Sequence, residues 1–168
     1  MRFSIVALIF IHLAIPLFSL NPKAKNGFLL KKSDVVAFVG GTDMVRMQKE
    51  GRVEAALTNR YKKARPLFRD LSWEGDTVYL QTTVSERWRR KAFGDLNGQL
   101  NKVGATVVIA QFGKIESLDG PGRLEDFTKA YDKLIDQLSR DGRRVALLAP
   151  PLFEWEQANG DLLKAYSN

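Results

Sequence analysis

The sequence predicts an α/β domain of three layers with a mostly parallel sheet, and three observations carry that expectation. Four apolar, β-branched runs recur along the chain: VVAFV (35–39), PLFRDL (66–71), TVVIAQF (106–112) and RVALLA (144–149). The first, third and fourth are near-continuous rather than alternating, as in strands buried on both faces. Segments of helical periodicity separate the runs, and strand–helix–strand alternation gives crossovers of one hand with helices on both faces.

Each element follows in order. Strand one stops at Gly40-Gly41-Thr42. Residues 44–63 then carry Met44, Met47, Val53, Ala56, Leu57 and Tyr61, with Gly51 breaking the middle. After strand two, residues 86–102 hold Trp88, Phe93, Leu96 and Leu100, a weaker helical pattern because Gly94 and Gly98 interrupt it. The clearest helix is 123–139, where Leu124, Phe127, Tyr131, Leu134, Ile135 and Leu138 form one apolar face. Gly142 reads as its stop. A last amphipathic segment, 154–166, holds Trp155, Leu162, Leu163 and Tyr166. In such sheets ligands sit outside the carboxyl ends of the strands. The tips are GGTD, SWEGDT, GKIES and PPLFEW.

Composition narrows the chemistry. The chain has 168 residues, 45% hydrophobic and 27% charged, which suits one globular domain. It has no cysteine, so zinc-thiolate sites, iron–sulfur clusters and disulfides cannot form within it. Met1-Arg2 precedes FSIVALIFIHLAIPLFSL, a positive start and a short apolar run that read as a secretory signal over residues 1–20. Export is the expectation, with an uncleaved membrane anchor as the alternative. The single histidine, His12, lies inside that segment. The rest of the chain therefore cannot assemble a Ser–His pair or a His–metal site from its own residues.

Several tip residues are candidates for chemistry or binding. Thr42 stands where a nucleophile would, yet threonine is also a good helix N-cap, and ligand contact is a third role. Gly75 and Gly113 either present backbone N–H groups or merely allow turns with positive φ. Lys114 and Glu116 are solvated loop residues or contacts for an anionic or sugar ligand. Thr77, in Gly75-Asp76-Thr77, is a weaker nucleophile position, and Asp76 fits a turn cap. Asp119, Glu125 and Asp126 lack calcium-loop spacing, so no metal site is assigned. Two basic runs, 61–65 and 87–93, are solvated helix faces or grips for an anionic surface. In the second, Trp88 adjoins Arg89 and Arg90. Polysaccharide or lipid is the expected partner there rather than nucleic acid.

The tips in their order resemble the SGNH, or GDSL-type, hydrolases over residues 33–168. Val39-Gly40-Gly41-Thr42 sits where a Gly-Asp-Ser tip belongs, with Gly41 for the aspartate and Thr42 for the nucleophilic serine. Trp73-Glu74-Gly75-Asp76 fits the second block and Phe112-Gly113-Lys114-Ile115 the third. By that resemblance Gly75 and Gly113 take oxyanion-hole positions, and Ile115 replaces the family's asparagine donor. The wording is also similar to an N-terminal domain of exported planctomycete and verrucomicrobial proteins. Some of those carry a c-type haem or dehydrogenase-like module, which here would lie on a longer chain. The resemblance implies a flavodoxin-like sandwich with strand order 2-1-3-4, the last strand and the Asp-x-x-His block being absent before Asn168. It implies a degenerate hydrolase-like domain without a cofactor, a binding or structural module for carbohydrate or cell-envelope material. The alternative is a low-activity carbohydrate esterase whose base comes from sequence beyond Asn168. Whether the chain is an enzyme stays open at this point.

Overall fold

The computed structural model describes residues 28–79 and 92–151. The four apolar runs become strands β1 (Val35–Gly40), β2 (Leu67–Asp70), β3 (Val107–Gln111) and β4 (Arg144–Leu147). They form one sheet in the order β2-β1-β3-β4, every pair parallel. The order and the direction are those the sequence predicts, and the fold is a flavodoxin-like three-layer α/β sandwich. Helix α1 spans Thr42–Glu50 and α2 Arg52–Arg60; α3 is Leu96–Lys102 and α4 Leu124–Leu138. The predicted segment 154–166, the signal segment 1–20 and the basic run with Arg89 and Arg90 lie outside the described residues. Among the described residues no helix is long and apolar enough to cross a membrane.

The continuous apolar runs are explained by two cores, one on each face. Val36 and Phe38 of β1, with Val107 and Ile109 of β3, point to one side and pack with Met44, Met47, Val53 and Leu57 of α1 and α2. Ala37, Val39, Val108 and Ala110 point to the other and pack with Leu96 and Leu100 of α3 and Ala130, Leu134 and Leu138 of α4. Successive strand residues face opposite ways, so a strand covered on both sides must be apolar at every position. The outer strands are less covered, and β2 keeps Phe68 stacked on Phe38 at 5.9 Å.

Two helix boundaries differ from the sequence expectation. Gly51 does break the first helical segment, in the left-handed conformation with φ 66°. However, Gly41 rather than Thr42 is the N-cap of α1, and no side chain caps that end. The helix of the third crossover ends at Leu138 with Ser139 as its cap, before Gly142. What stops it there is Arg143. Its side chain is buried and its guanidinium turns back over the helix end, donating to the carbonyls of Leu138 (2.9 Å) and Gln137 (3.0 Å). It also donates to the side-chain oxygens of Asn97 and Asn101 on α3, and to Asp141 (3.2 Å).

A second polar staple lies at the opposite end of the sheet from the tips. Asp34, 6% exposed, accepts from the Lys31 N–H, the Thr106 hydroxyl and the Arg144 guanidinium. Burial alone would raise its carboxyl pKa, but these three donors outweigh it and hold the group below its ordinary value of 3.8. A carboxyl with a depressed folded-state pKa stabilises the fold above its unfolded-state value. That contribution disappears as pH falls below 3.8 and through the lower folded value. Acid titration of stability is therefore expected to show a shallower fall in Asp34→Asn than in the parent. Equal slopes below pH 4 would refute it.

Candidate functional site

The tips of β1 and β3 meet where chain connections leave the sheet in opposite directions, to β2 on one side and β4 on the other. That reversal opens a crevice at the carboxyl ends in sheets of this order. Here it is a small, shallow cleft, open to solvent. Gly41, Thr42 and Asp43 line it from the first tip, Asp76 from the second, and Gln111 through Glu116 from the third; Pro150 closes one side.

The second loop is tied down at every turn. The Leu71 N–H donates to Phe38 O, Trp73 N–H to Gly40 O and Asp76 N–H to Trp73 O, each at 2.9–3.1 Å. Gly75 N–H donates to the Thr42 hydroxyl at 3.0 Å, and Lys49 on α1 pairs with Glu74 at 3.0 Å. Gly41 fits because it lacks a side chain: a Cβ there would stand 2.6 Å from the Asp76 carbonyl oxygen.

The structure thus brings Thr42, Gly75, Gly113, Ile115, Lys114 and Glu116 to one place, but gives them roles of its own. Thr42 does not cap α1; its hydroxyl accepts the Gly75 N–H. The Gly113 N–H donates to Glu116 Oε2 at 2.9 Å, and Val78 N–H to Glu116 Oε1 at 2.7 Å. Glu116 is 6% exposed, so it is not a solvated loop residue but a buried brace between the second and third tips. Both glycines have positive φ, 75° and 114°, so the turn role holds for each. Ile115 is exposed and has no donor to offer. Lys114 pairs with Asp43 at 3.1 Å, both half-buried, which neutralises much of its appeal to an anion.

Sequence reasoning did not single out Gln111, Asp43 as an ion-pair partner, or the burial of Asp76, which is 2% exposed. Gln111 had a signal: it is the polar residue at the end of a buried apolar run, in register with Gly40. Its Nε2 donates to Ala149 O at 3.1 Å. A carbonyl only accepts, so this bond fixes which end of the amide is which. Among the described residues Oε1 is left buried without a partner, in a residue 7% exposed. The lining therefore holds three carboxyl groups and one ammonium, with the acid Asp43 in the first turn of α1. An acid there offsets the positive end of the helix. Nearby, burial and the charge of Glu116 raise the Tyr131 pKa, so its phenol stays protonated.

Two of the three acids considered for a hard cation are occupied elsewhere: Asp126 with Arg123 at 2.7 Å and Glu125 with Lys129 at 2.5 Å. Among the described residues no group of three or more His, Cys, Asp or Glu side chains is placed to hold a metal ion. No family model, curated protein or solved structure matches the chain.

Proposed function

We propose that the chain is a binding module for neutral, hydroxyl-rich ligands, carbohydrate of the cell envelope in particular, on a degenerate SGNH-type scaffold. The observation that carries this reading is the orphaned Oε1 of Gln111 at an acceptor-rich cleft. A buried acceptor without a partner costs about 1–3 kcal/mol, a cost that ligand donors offset. Carboxyl and amide oxygens accept from sugar hydroxyls, whereas they repel phosphate or carboxylate ligands. The apolar N-terminal segment supports a site of action outside the cytoplasm.

Hydrolysis is disfavoured by the same contacts. No imidazole exists beyond His12 to take a proton from Thr42. The backbone donors at the two oxyanion positions are engaged, Gly75 by Thr42 and Gly113 by Glu116. Losing a single oxyanion donor typically lowers rate about a hundred- to a thousand-fold.

Titration calorimetry with cellohexaose, chitohexaose and xylohexaose, beside acidic alginate oligomers, tests the proposal. At least one neutral oligomer is expected to bind more tightly than alginate. Gln111→Leu is expected to lose that binding while keeping stability within about 1 kcal/mol, since one bond and one orphan disappear together. Binding of alginate alone, or none of the four, would overturn it. On p-nitrophenyl acetate, the parent and Thr42→Ala are expected to give the same background rate. A rate that needs the Thr42 hydroxyl would favour the esterase instead.

A further inference from the structure

We propose that the end of the sheet opposite the cleft, where the strands begin, is a docking face for the headgroups of an anionic phospholipid bilayer. This goes beyond the carbohydrate reading and does not rest on it. The strand starts are level at that end. Leu67 N–H donates to Asp34 O and Thr106 N–H to Val35 O, both at 2.9 Å, and Arg144 N–H to Thr106 O at 3.0 Å. Lys31 and Lys32 lie just before β1, and Lys62, Lys63 and Arg65 in the loop that leads into β2. Lys102 ends α3, shortly before β3. All six are exposed, and no carboxylate of the described residues pairs with them. Of the acids at this end, Asp34 is buried against Arg144, Asp141 pairs with Arg143, and Asp136 lies one turn before Arg140. A helix C-terminus favours a cation, which accounts for Lys102. The other five sit in loops, where no helix dipole calls for them.

The occupant follows from where the chain enters the domain. The carbonyl of Phe28 accepts from the Tyr61 hydroxyl at 3.4 Å, and the Arg144 guanidinium lies 5.7 Å from the centre of the Phe28 ring. The entry point is therefore fixed to this same end, beside the loop that carries Lys62 and Lys63. The apolar run 3–20 precedes it by residues 21–27. Seven residues extend to at most about 25 Å. While that run occupies a bilayer, the basic end stays beside the headgroups. Two apolar side chains stand exposed among the cations, Leu29 by 37% and Leu67, the first residue of β2, by 53%. Lysines that meet lipid phosphates next to apolar groups that enter the acyl boundary are the usual pairing at a membrane surface. A soluble acidic polymer matches the charge but gives the apolar pair nothing to enter. Docked this way, the cleft at the far end of the sheet faces away from the lipid.

The test uses the full chain with one cysteine, Leu67→Cys, carrying an environment-sensitive fluorophore; the chain has no other cysteine to take the label. Vesicles are phosphatidylcholine alone or an equimolar mixture with phosphatidylglycerol. The emission is expected to shift to the blue on the mixed vesicles, to stay put on the neutral ones, and to revert in about 1 M salt. The same label through Ile115→Cys, in the cleft, is expected to report water throughout. Each lysine near an anionic surface strengthens docking about fivefold. Changing Lys31, Lys32, Lys62 and Lys63 together to glutamine is therefore expected to weaken it about a hundredfold or more, which abolishes the shift. The same four changed to arginine should keep it, which separates lost charge from lost fold. Arg46, Arg52, Lys129 and Lys133, exposed elsewhere, remove the same net charge as glutamines and should also keep it. Equal shifts on both vesicles, a label at position 115 that shifts as far as the one at 67, or equal loss in the two glutamine variants overturns the docking face. A shift produced by alginate and not by mixed vesicles overturns it too, and gives the cations to an acidic polymer.

Discussion

Arg143→Met is expected to lower the stability of the fold by about 1–3 kcal/mol, measured by denaturant unfolding. The guanidinium is buried and serves five acceptors at once: the carbonyls of Gln137 and Leu138, Asn97, Asn101 and Asp141. Methionine fills a similar volume and donates to none of them. The two carbonyls at the end of α4 and the two amides of α3 would then lose their shared donor. The salt bridge itself contributes little, because Asp141 is 60% exposed. Asp141→Asn should accordingly shift stability by less than about 0.5 kcal/mol, and asparagine also accepts the positive φ of 58° found there. A variant Arg143→Met as stable as the parent would show that water replaces the guanidinium at no cost.

Gly40→Ala should be more damaging, by about 3 kcal/mol or more. One methyl at this position would lie 2.6 Å from the Gln111 carbonyl oxygen and 2.8 Å from the Met44 Cβ. Neither is the free end of a flexible side chain. The first belongs to the paired strand β3 and the second to α1, so relief requires a strand or a helix to move. Gly51→Ala provides the contrast. Nothing lies within 4 Å of a Cβ there, and only the left-handed backbone, φ 66°, opposes it. Its cost should stay near about 1 kcal/mol. Parallel thermal melts would separate the two mechanisms, and similar losses in both would contradict the packing account.

How much of this was legible in the sequence depends on the range of the interaction concerned. Val36 to Val39 and Val107 to Ala110 announce strands covered on both faces, because a local pattern of side chains records what each face meets. The parallel direction followed from the alternation of runs and helical segments, whereas the order 2-1-3-4 came only from the resemblance to the SGNH hydrolases. The end of α4 was misplaced because its stop comes from Arg143, a side chain that reaches back from just before the following strand. The gathering of Thr42, Gly75, Gly113 and Glu116 at one crevice was predictable from the tips alone. Their bonding was not. Glu116 looks like a surface residue in Gly113-Lys114-Ile115-Glu116, and only the approach of Val78 from another loop buries it. Gln111 was passed over, although a polar residue ending an apolar run is a signal, and its orphaned oxygen depends on where Ala149 falls.

The contact of Gly41 with the Asp76 carbonyl locks the first tip against the second loop. Any residue larger than glycine at position 41, an aspartate included, meets that oxygen at 2.6 Å before it does anything else. Making room means unlatching Trp73 from Gly40 and Gly75 from Thr42. A single point mutation toward a Gly-Asp-Ser tip therefore breaks the crevice before it can furnish a reacting group. Position 41 thus couples the first tip to the second loop, and its side chain cannot change without the loop's backbone moving.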